Sequence, residues 1–249
     1  MFKYLPNYQQ FNTDGKDKIT IEHLLTMTSG LKGLEWLMPY SNPENDIIKV
    51  YNSEDPILEI LKRPMAYKPG EMFQYFGGSN FLLAKIIENA TKMNLEEFAE
   101  KYLFEPLGIE NAFWFKLNKG IIDGAGGLMI TSRDMAKIGV TFLNNGIWNG
   151  NRIISVEWVD KSAASYPGNS WLNNWDDHWG MRGYAYSWWT HTFTYNGNRI
   201  DMYYAAGWGG QYIMVLPALN SVVVFTGGNY TTPRPCFDIL KKYILASYK

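Results

Sequence analysis

The chain has 249 residues, enough to bury a sizeable core, and its 46% hydrophobic and 19% charged residues are the proportions of an ordinary globular protein rather than a disordered one. Its 23 basic and 24 acidic side chains leave a formal net charge of -1 with no stripe of Lys or Arg, which argues against a nucleic-acid partner. The single cysteine, Cys236, excludes an intrachain disulfide and a cysteine-built metal cluster, and no apolar run approaches the roughly 20 residues that cross a bilayer.

Residues 1–18 lack the charged-then-apolar pattern of an export signal. Thr20 then caps a short expected helix over residues 21–27 that stops at Gly30, and residues 34–68 mix proline, asparagine and aromatics in a long irregular excursion, interrupted by a short helix over 57–62. Phe81, Leu82, Ile86 and Ala90 recur at three- and four-residue spacing, so an amphipathic helix is expected there with Ser79 or Asn80 as its cap. Asn94 with Glu97 forms a capping box for a helix reaching Leu103, ended by Pro106 and Gly108. Thr131 and Asp134 open a third helix through Met135, Ile138, Phe142 and Leu143. Asn149-Gly150 marks a tight turn, and Ser155 caps a helix over residues 156–164.

Residues 166–179 place Trp171, Trp175 and Trp179 among glycines, asparagines and aspartates, the composition of a surface loop. The pattern then turns to strands over 184–190, 192–195, 199–206, 211–216 and 221–226, joined by short turns such as Asn196-Gly197, and a helix over 235–247 closes the chain. Helices followed by sequential antiparallel strands define an α+β fold, expected as one domain over residues 1–249.

Residues 204–217 read YAAGWGGQYIMVLP, a strand, a glycine-rich corner and a second strand. The glycines leave backbone N–H groups uncovered, which is how an acyl-transfer enzyme receives a substrate carbonyl. Three other segments stand in a telling order: ITIEHLLTMTSGL at 19–31, KPGEMFQYFGGSNFLLAKIIENAT at 68–91 and GAGGLMITSRDMAKIG at 124–139. Together the four resemble the serine β-lactamase-like hydrolases, the family of class C β-lactamases, D-alanyl-D-alanine carboxypeptidases, related esterases and 6-aminohexanoate-dimer hydrolases, over nearly the whole chain from about Tyr4 to Gly228.

The resemblance implies an antiparallel sheet flanked by helices with a mainly helical subdomain, no metal or organic cofactor, a small ester or amide as substrate and a periplasmic or secreted location. It also implies a Ser-x-x-Lys nucleophile motif before the segment KYLPNY, and since Met1 stands two residues before that segment, the expectation is an N-terminally incomplete domain, inactive as given. Tyr75 matches the family's Tyr-x-Asn or Tyr-x-Ser tyrosine, a proton relay. Gly77 departs from that element, and Ser79 or Asn80 is expected to take over its polar role. Gly207-Trp208-Gly209-Gly210-Gln211 falls where β-lactamases have Lys-Thr-Gly, so Trp208 removes a cation that would hold a substrate carboxylate. The Gln211 N–H is the implied oxyanion donor, with Trp208, Gly209 and Gly210 as substrate-binding residues and the aromatics between Trp171 and Trp189 lining a pocket.

Ser29-Gly30-Leu31-Lys32 is a Ser-x-x-Lys by spelling, but Gly30 breaks the turn that would bring Lys32 to Ser29, and it is rejected as the nucleophile. His23 reads as a packed helix residue, and Asp176-Asp177-His178 as a solvated loop rather than a metal site. Two rival readings remain: a non-catalytic protein binding a peptide or cell-wall fragment in the same cleft, and a homo-oligomer formed through an exposed sheet edge.

Overall fold

A computed structural model describes residues 1–33, 35–117, 120–164, 166, 183–230 and 235–248. Contacts group the chain into two compact units, Met1–Phe104 with Ala112–Met129, and Glu105–Asn111 with Ile130–Lys249.

The first unit is mainly helical. Helix α1 (Ile21–Leu25) starts because Thr20 Oγ1 accepts the His23 N–H at 3.1 Å, while His23 Nδ1 accepts the Thr20 N–H at 3.3 Å, a capping box closed by histidine instead of Glu or Gln. The stretch expected to be irregular with one helix holds two: α2 (Asp46–Tyr51), capped by Asn45, and α3 (Pro56–Leu61), capped by Asp55 with Pro56 in its first turn. Helix α2 escapes notice because its cap sits in a Pro- and Asn-rich run that reads as loop. Helix α4 (Gly78–Thr91) begins earlier than the expected Ser79 or Asn80 cap, with Gly77 at the N-cap and no capping side chain of its own. The Asn94–Glu97 box opens α5 (Leu95–Ala99) as expected, after which Glu100–Phe104 relaxes into a π-turn. Leu5, Ile19, Leu24, Ile60, Leu61, Phe76 and Leu82 form the core of this unit. A short antiparallel pair, β1 (Phe113–Trp114) with β2 (Leu128–Met129), completes it.

The second unit carries the sheet. It includes α6 (Glu105–Leu107), α7 (Ser132–Leu143), the hairpin β3 (Ile147–Trp148) with β4 (Asn151–Arg152), and α8 (Val156–Ser162). Asn149 and Gly150 both take positive φ in that hairpin, and Thr131 and Ser155 cap α7 and α8 as their sequence signals required. Five antiparallel strands follow in sequential order: β5 (Gly183–Ala185), β6 (Trp188–Tyr195), β7 (Asn198–Gly207), β8 (Gln211–Leu216) and β9 (Ser221–Phe225).

The expected first two strands are redrawn. Tyr186 and Ser187 turn the chain at φ 47° and 69°, so a strand ends at Ala185 and the next runs unbroken through His191 to Tyr195. Positive φ is uncommon for either residue, and tyrosine is not a usual turn former; the Tyr186 ring is held between Tyr166 and Trp158 at 5.5 and 4.7 Å. Alternation along β8 divides the packing: Ile213 and Val215 meet the α7 side with Phe142, Trp188 and Tyr203, whereas Tyr212 and Tyr204 meet Phe237 of α9 (Cys236–Ile239). Helices therefore cover both faces. The closing helix is not uniform, since Leu240–Ile244 is a π-turn and Leu245–Ser247 a 3-10 turn.

Candidate active site

Tyr75 belongs to the first unit, in the turn that leads into α4. Its ring is half-buried and stacks on Trp36 with centroids 4.7 Å apart and planes 16° from parallel. Two residues on, the Gly77 N–H donates to Glu35 Oε2 at 2.6 Å, and Tyr40 donates its hydroxyl to Glu35 Oε1 at 2.8 Å. Neither Ser79 nor Asn80 caps α4 as expected; the N–H groups of Ser79 and Asn80 go to the Phe76 and Gly77 carbonyls, and a carboxyl group from a distant turn holds the N-cap residue instead, close to the positive end of the helix. A Cβ at Gly77 would stand 3.1 Å from the Ala125 Cβ, 3.1 Å from the Ile47 Cδ1 and 3.3 Å from Glu35 Oε2, a tight fit in which an Asn or Ser would require these neighbours to give by a few tenths of an ångström.

The Gly124–Gly127 segment packs beside this turn. A Cβ at Gly124 would lie 2.9 Å from the Ala84 Cβ of α4, and Asp123 Oδ1 folds the segment by accepting the N–H groups of Ala125 and Gly126 at 3.0 and 3.1 Å. The Tyr51 hydroxyl donates to the same carboxylate, which burial otherwise pushes above its usual range. Glu35, only 5% exposed, is pushed up by burial too, and the nearby Asp123 and Asp46 charges add to the shift against the hydrogen bonds from Gly77 and Tyr40. Glu35, Trp36 and Asp123 are absent from the expected site. Their segments read as loop, and only the presence of an acid beside a tryptophan in an apolar stretch hinted at burial.

The corner between β7 and β8 belongs to the second unit. Gly209 and Gly210 adopt φ of +95° and +99°, which side-chain-bearing residues rarely reach, and a Cβ on Gly209 would stand 2.6 Å from the Tyr230 ring. The corner is held from behind: Asn229 donates its N–H to the Gly209 carbonyl at 2.8 Å, and Gln211 Nε2 donates to the Gly227 carbonyl at 2.7 Å. Trp208 is half-exposed and meets Tyr230 edge to face at 4.9 Å. Trp208, Gly209, Gly210 and Gln211 thus share one bend, as the pattern required.

Other candidates separate plainly. The Ser29 hydroxyl is buried and accepts the Leu31 N–H at 3.3 Å, while Lys32 is exposed. His23 lines an open cavity of about 600 Å³ with Asp14, Lys18, Lys68 and Glu71, which contains none of the residues around Tyr75. Of the aromatics expected to line a pocket, Trp188 and Trp189 are instead core residues, at 7% and 4% exposure, because β6 buries both of its faces here. Trp171, Trp175 and Trp179, and the Asp176-Asp177-His178 cluster, lie outside the described residues. Among the described residues no group of acidic, histidine or cysteine side chains is placed to hold a metal, and no helix is long and apolar enough to cross a membrane.

With this geometry in hand, comparison with known proteins gives the class. The beta-lactamase family model matches residues 2–240, and the chain belongs to that family, within the serine β-lactamase-like hydrolases. It is 30% identical over 123 residues to a "Putative D-alanyl-D-alanine carboxypeptidase" of Salmonella agona, a match covering 47% of this chain and 28% of that protein. Among solved structures it is similar to a "Putative 6-aminohexanoate-dimer hydrolase" from Bacillus anthracis, with TM-score 0.74 and 22% identity over 98% of this chain and 64% of the other. The penicillin binding protein from Bacillus halodurans matches with TM-score 0.66 and 20% identity over 96% and 78%. These likenesses fix the fold as β-lactamase/transpeptidase-like, and the chain spans less than two thirds of the curated relative and of the Bacillus anthracis protein.

Proposed function

We propose that this chain provides the proton-relay and oxyanion parts of a serine hydrolase that acts on a small ester or amide through an acyl-enzyme. The observation that carries the reading is the family match over residues 2–240, a span that contains both Tyr75 and the Gly207–Gln211 corner, the two elements whose sequence resembles the family's relay and oxyanion motifs. Tyr75 passes the proton between the attacking hydroxyl and the leaving group, and the Gln211 N–H supports the oxygen that becomes negative. Ser29, buried and hydrogen-bonded within its own loop, is not the nucleophile. The exposed indole of Trp208 offers no cation to a substrate carboxylate, which biases the site toward neutral substrates.

Serine-directed labelling tests this. A fluorophosphonate probe read by intact mass, applied to the 249-residue chain and to any longer product of the same reading frame, should place its adduct on a serine other than Ser29. In the form that proves reactive toward the probe, assayed without probe, Tyr75→Phe should slow p-nitrophenyl acetate turnover by about 10²- to 10⁴-fold, and that ester should be hydrolysed faster than nitrocefin. An adduct on Ser29 overturns the assignment, and no adduct on any form favours a binding role.

A further inference from the structure

Residues 35 and 36 grip residues 77 and 75 respectively, one on each side of Phe76. The Glu35 carboxylate takes the Gly77 N–H at 2.6 Å, and the Trp36 indole lies flat on the Tyr75 ring at 4.7 Å. Between them Phe76 is 2% exposed, with the Arg63 guanidinium 4.9 Å over its ring, so the backbone of the turn is fixed from below.

The gripping pair is itself anchored. Asn45, fully buried, donates its amide to the carbonyls of Glu35 at 2.9 Å and Met38 at 2.7 Å while its oxygen caps α2 by accepting the Ile47 N–H at 3.0 Å. Trp36 also meets the buried Phe73 ring at 6.4 Å, and the Gly33 N–H donates to the Gln74 side chain at 3.2 Å. A tyrosine in a turn has two free side-chain torsions. Here the backbone is held two residues on, at Gly77, and the ring plane is held by the stacked indole, which narrows the directions in which the hydroxyl can point.

We propose that Glu35 and Trp36 are positioning residues that act as a two-point clamp on Tyr75, setting the direction of its hydroxyl without touching the reacting atoms. The inference rests on the reading of Tyr75 as the proton relay. It also gives a reason for glycine at position 77. A Cβ there would crowd Ala125 at 3.1 Å and Glu35 Oε2 at 3.3 Å, pressing on one point of the clamp.

Two measurements test it separately from that reading. The first replaces Tyr75 with 3-fluorotyrosine and records its fluorine resonance in the folded chain. A single resonance is expected, moved by the indole; Trp36→Leu and Glu35→Ala should each shift or broaden it, while Trp36→Phe and Glu35→Gln, which keep a ring and an acceptor oxygen, should restore most of the native signal. The second is a double-mutant cycle on ester turnover in the active form. Trp36→Leu and Glu35→Ala should lower kcat on the order of 10- to 100-fold with KM little changed, and should lose that effect in a Tyr75→Phe background. A fluorine resonance indifferent to both variants, in proteins whose circular dichroism matches the native one, overturns the clamp. So do kcat losses that persist undiminished without the Tyr75 hydroxyl. If Tyr75→Phe alone leaves turnover unchanged, the relay reading fails and the fluorine measurement still decides the clamp.

Discussion

Gly209 shows how one residue type settles a local structure. Its φ of +95° and the Tyr230 ring 2.6 Å from a would-be Cβ both demand a missing side chain. Gly209→Ala should therefore cost about 1–3 kcal/mol through backbone strain, with the ring clash added, and urea unfolding would register it as a lowered midpoint. An unchanged midpoint would mean that the bend adapts and is not the rigid donor array proposed. This glycine pair was legible because its need is local. Glu35 was not: nothing within five residues of it announces that its oxygens will meet the N–H of Gly77, 42 positions away. Tyr75 falls between the two, visible through resemblance, with its stacked partner Trp36 hidden in a stretch that reads as loop.

At the level of elements, α7 against the sheet is the most exacting contact. A Cβ on Gly139 would stand 2.5 Å from Val222 Cγ1 and 2.8 Å from Ile213 Cγ2, so the helix backbone rests directly on β8 and β9. Gly→Ala on an exposed helix face gains about 1 kcal/mol; here overpacking should reverse the sign and cost about 1–3 kcal/mol, measured as a lower unfolding midpoint for Gly139→Ala. Elements with their own start signals were readable in sequence: the Asn94–Glu97 box, the Thr131 and Ser155 caps and the Asn149-Gly150 turn all act within three or four residues. The start of α4 was misplaced because no capping side chain marks it and its N-cap glycine is held by a carboxyl group from another segment, and the β5–β6 turn because it puts Tyr186, packed between two rings, and Ser187 at positive φ, which neither residue type favours.

For the molecule as a whole, strand order was legible because each short turn joins neighbours, and the α+β layout followed from helices preceding strands. Its response to pH was not legible, since it depends on burial. Glu35 and Asp123 are both held above their ordinary values of 4.5 and 3.8, chiefly by desolvation, so the folded chain keeps protons that the unfolded chain releases. The sign follows: from those ordinary values upward, stability contributed by these groups falls as pH rises through the folded-state values. Glu35→Gln and Asp123→Asn should each flatten that decline in thermal unfolding midpoint. A decline equally steep in both variants would place its origin in other groups.

Cys236 sits behind the β7–β8 bend, 5% exposed, with its sulfur 3.9 Å from the Gly210 carbonyl. A thiol-reactive dye reaches that sulfur only when the surroundings part, so its modification rate relative to an unhindered thiol becomes a clock for transient opening of the region where substrate oxygen is proposed to settle. The chain thus carries its own kinetic gauge of how firmly that bend is kept shut.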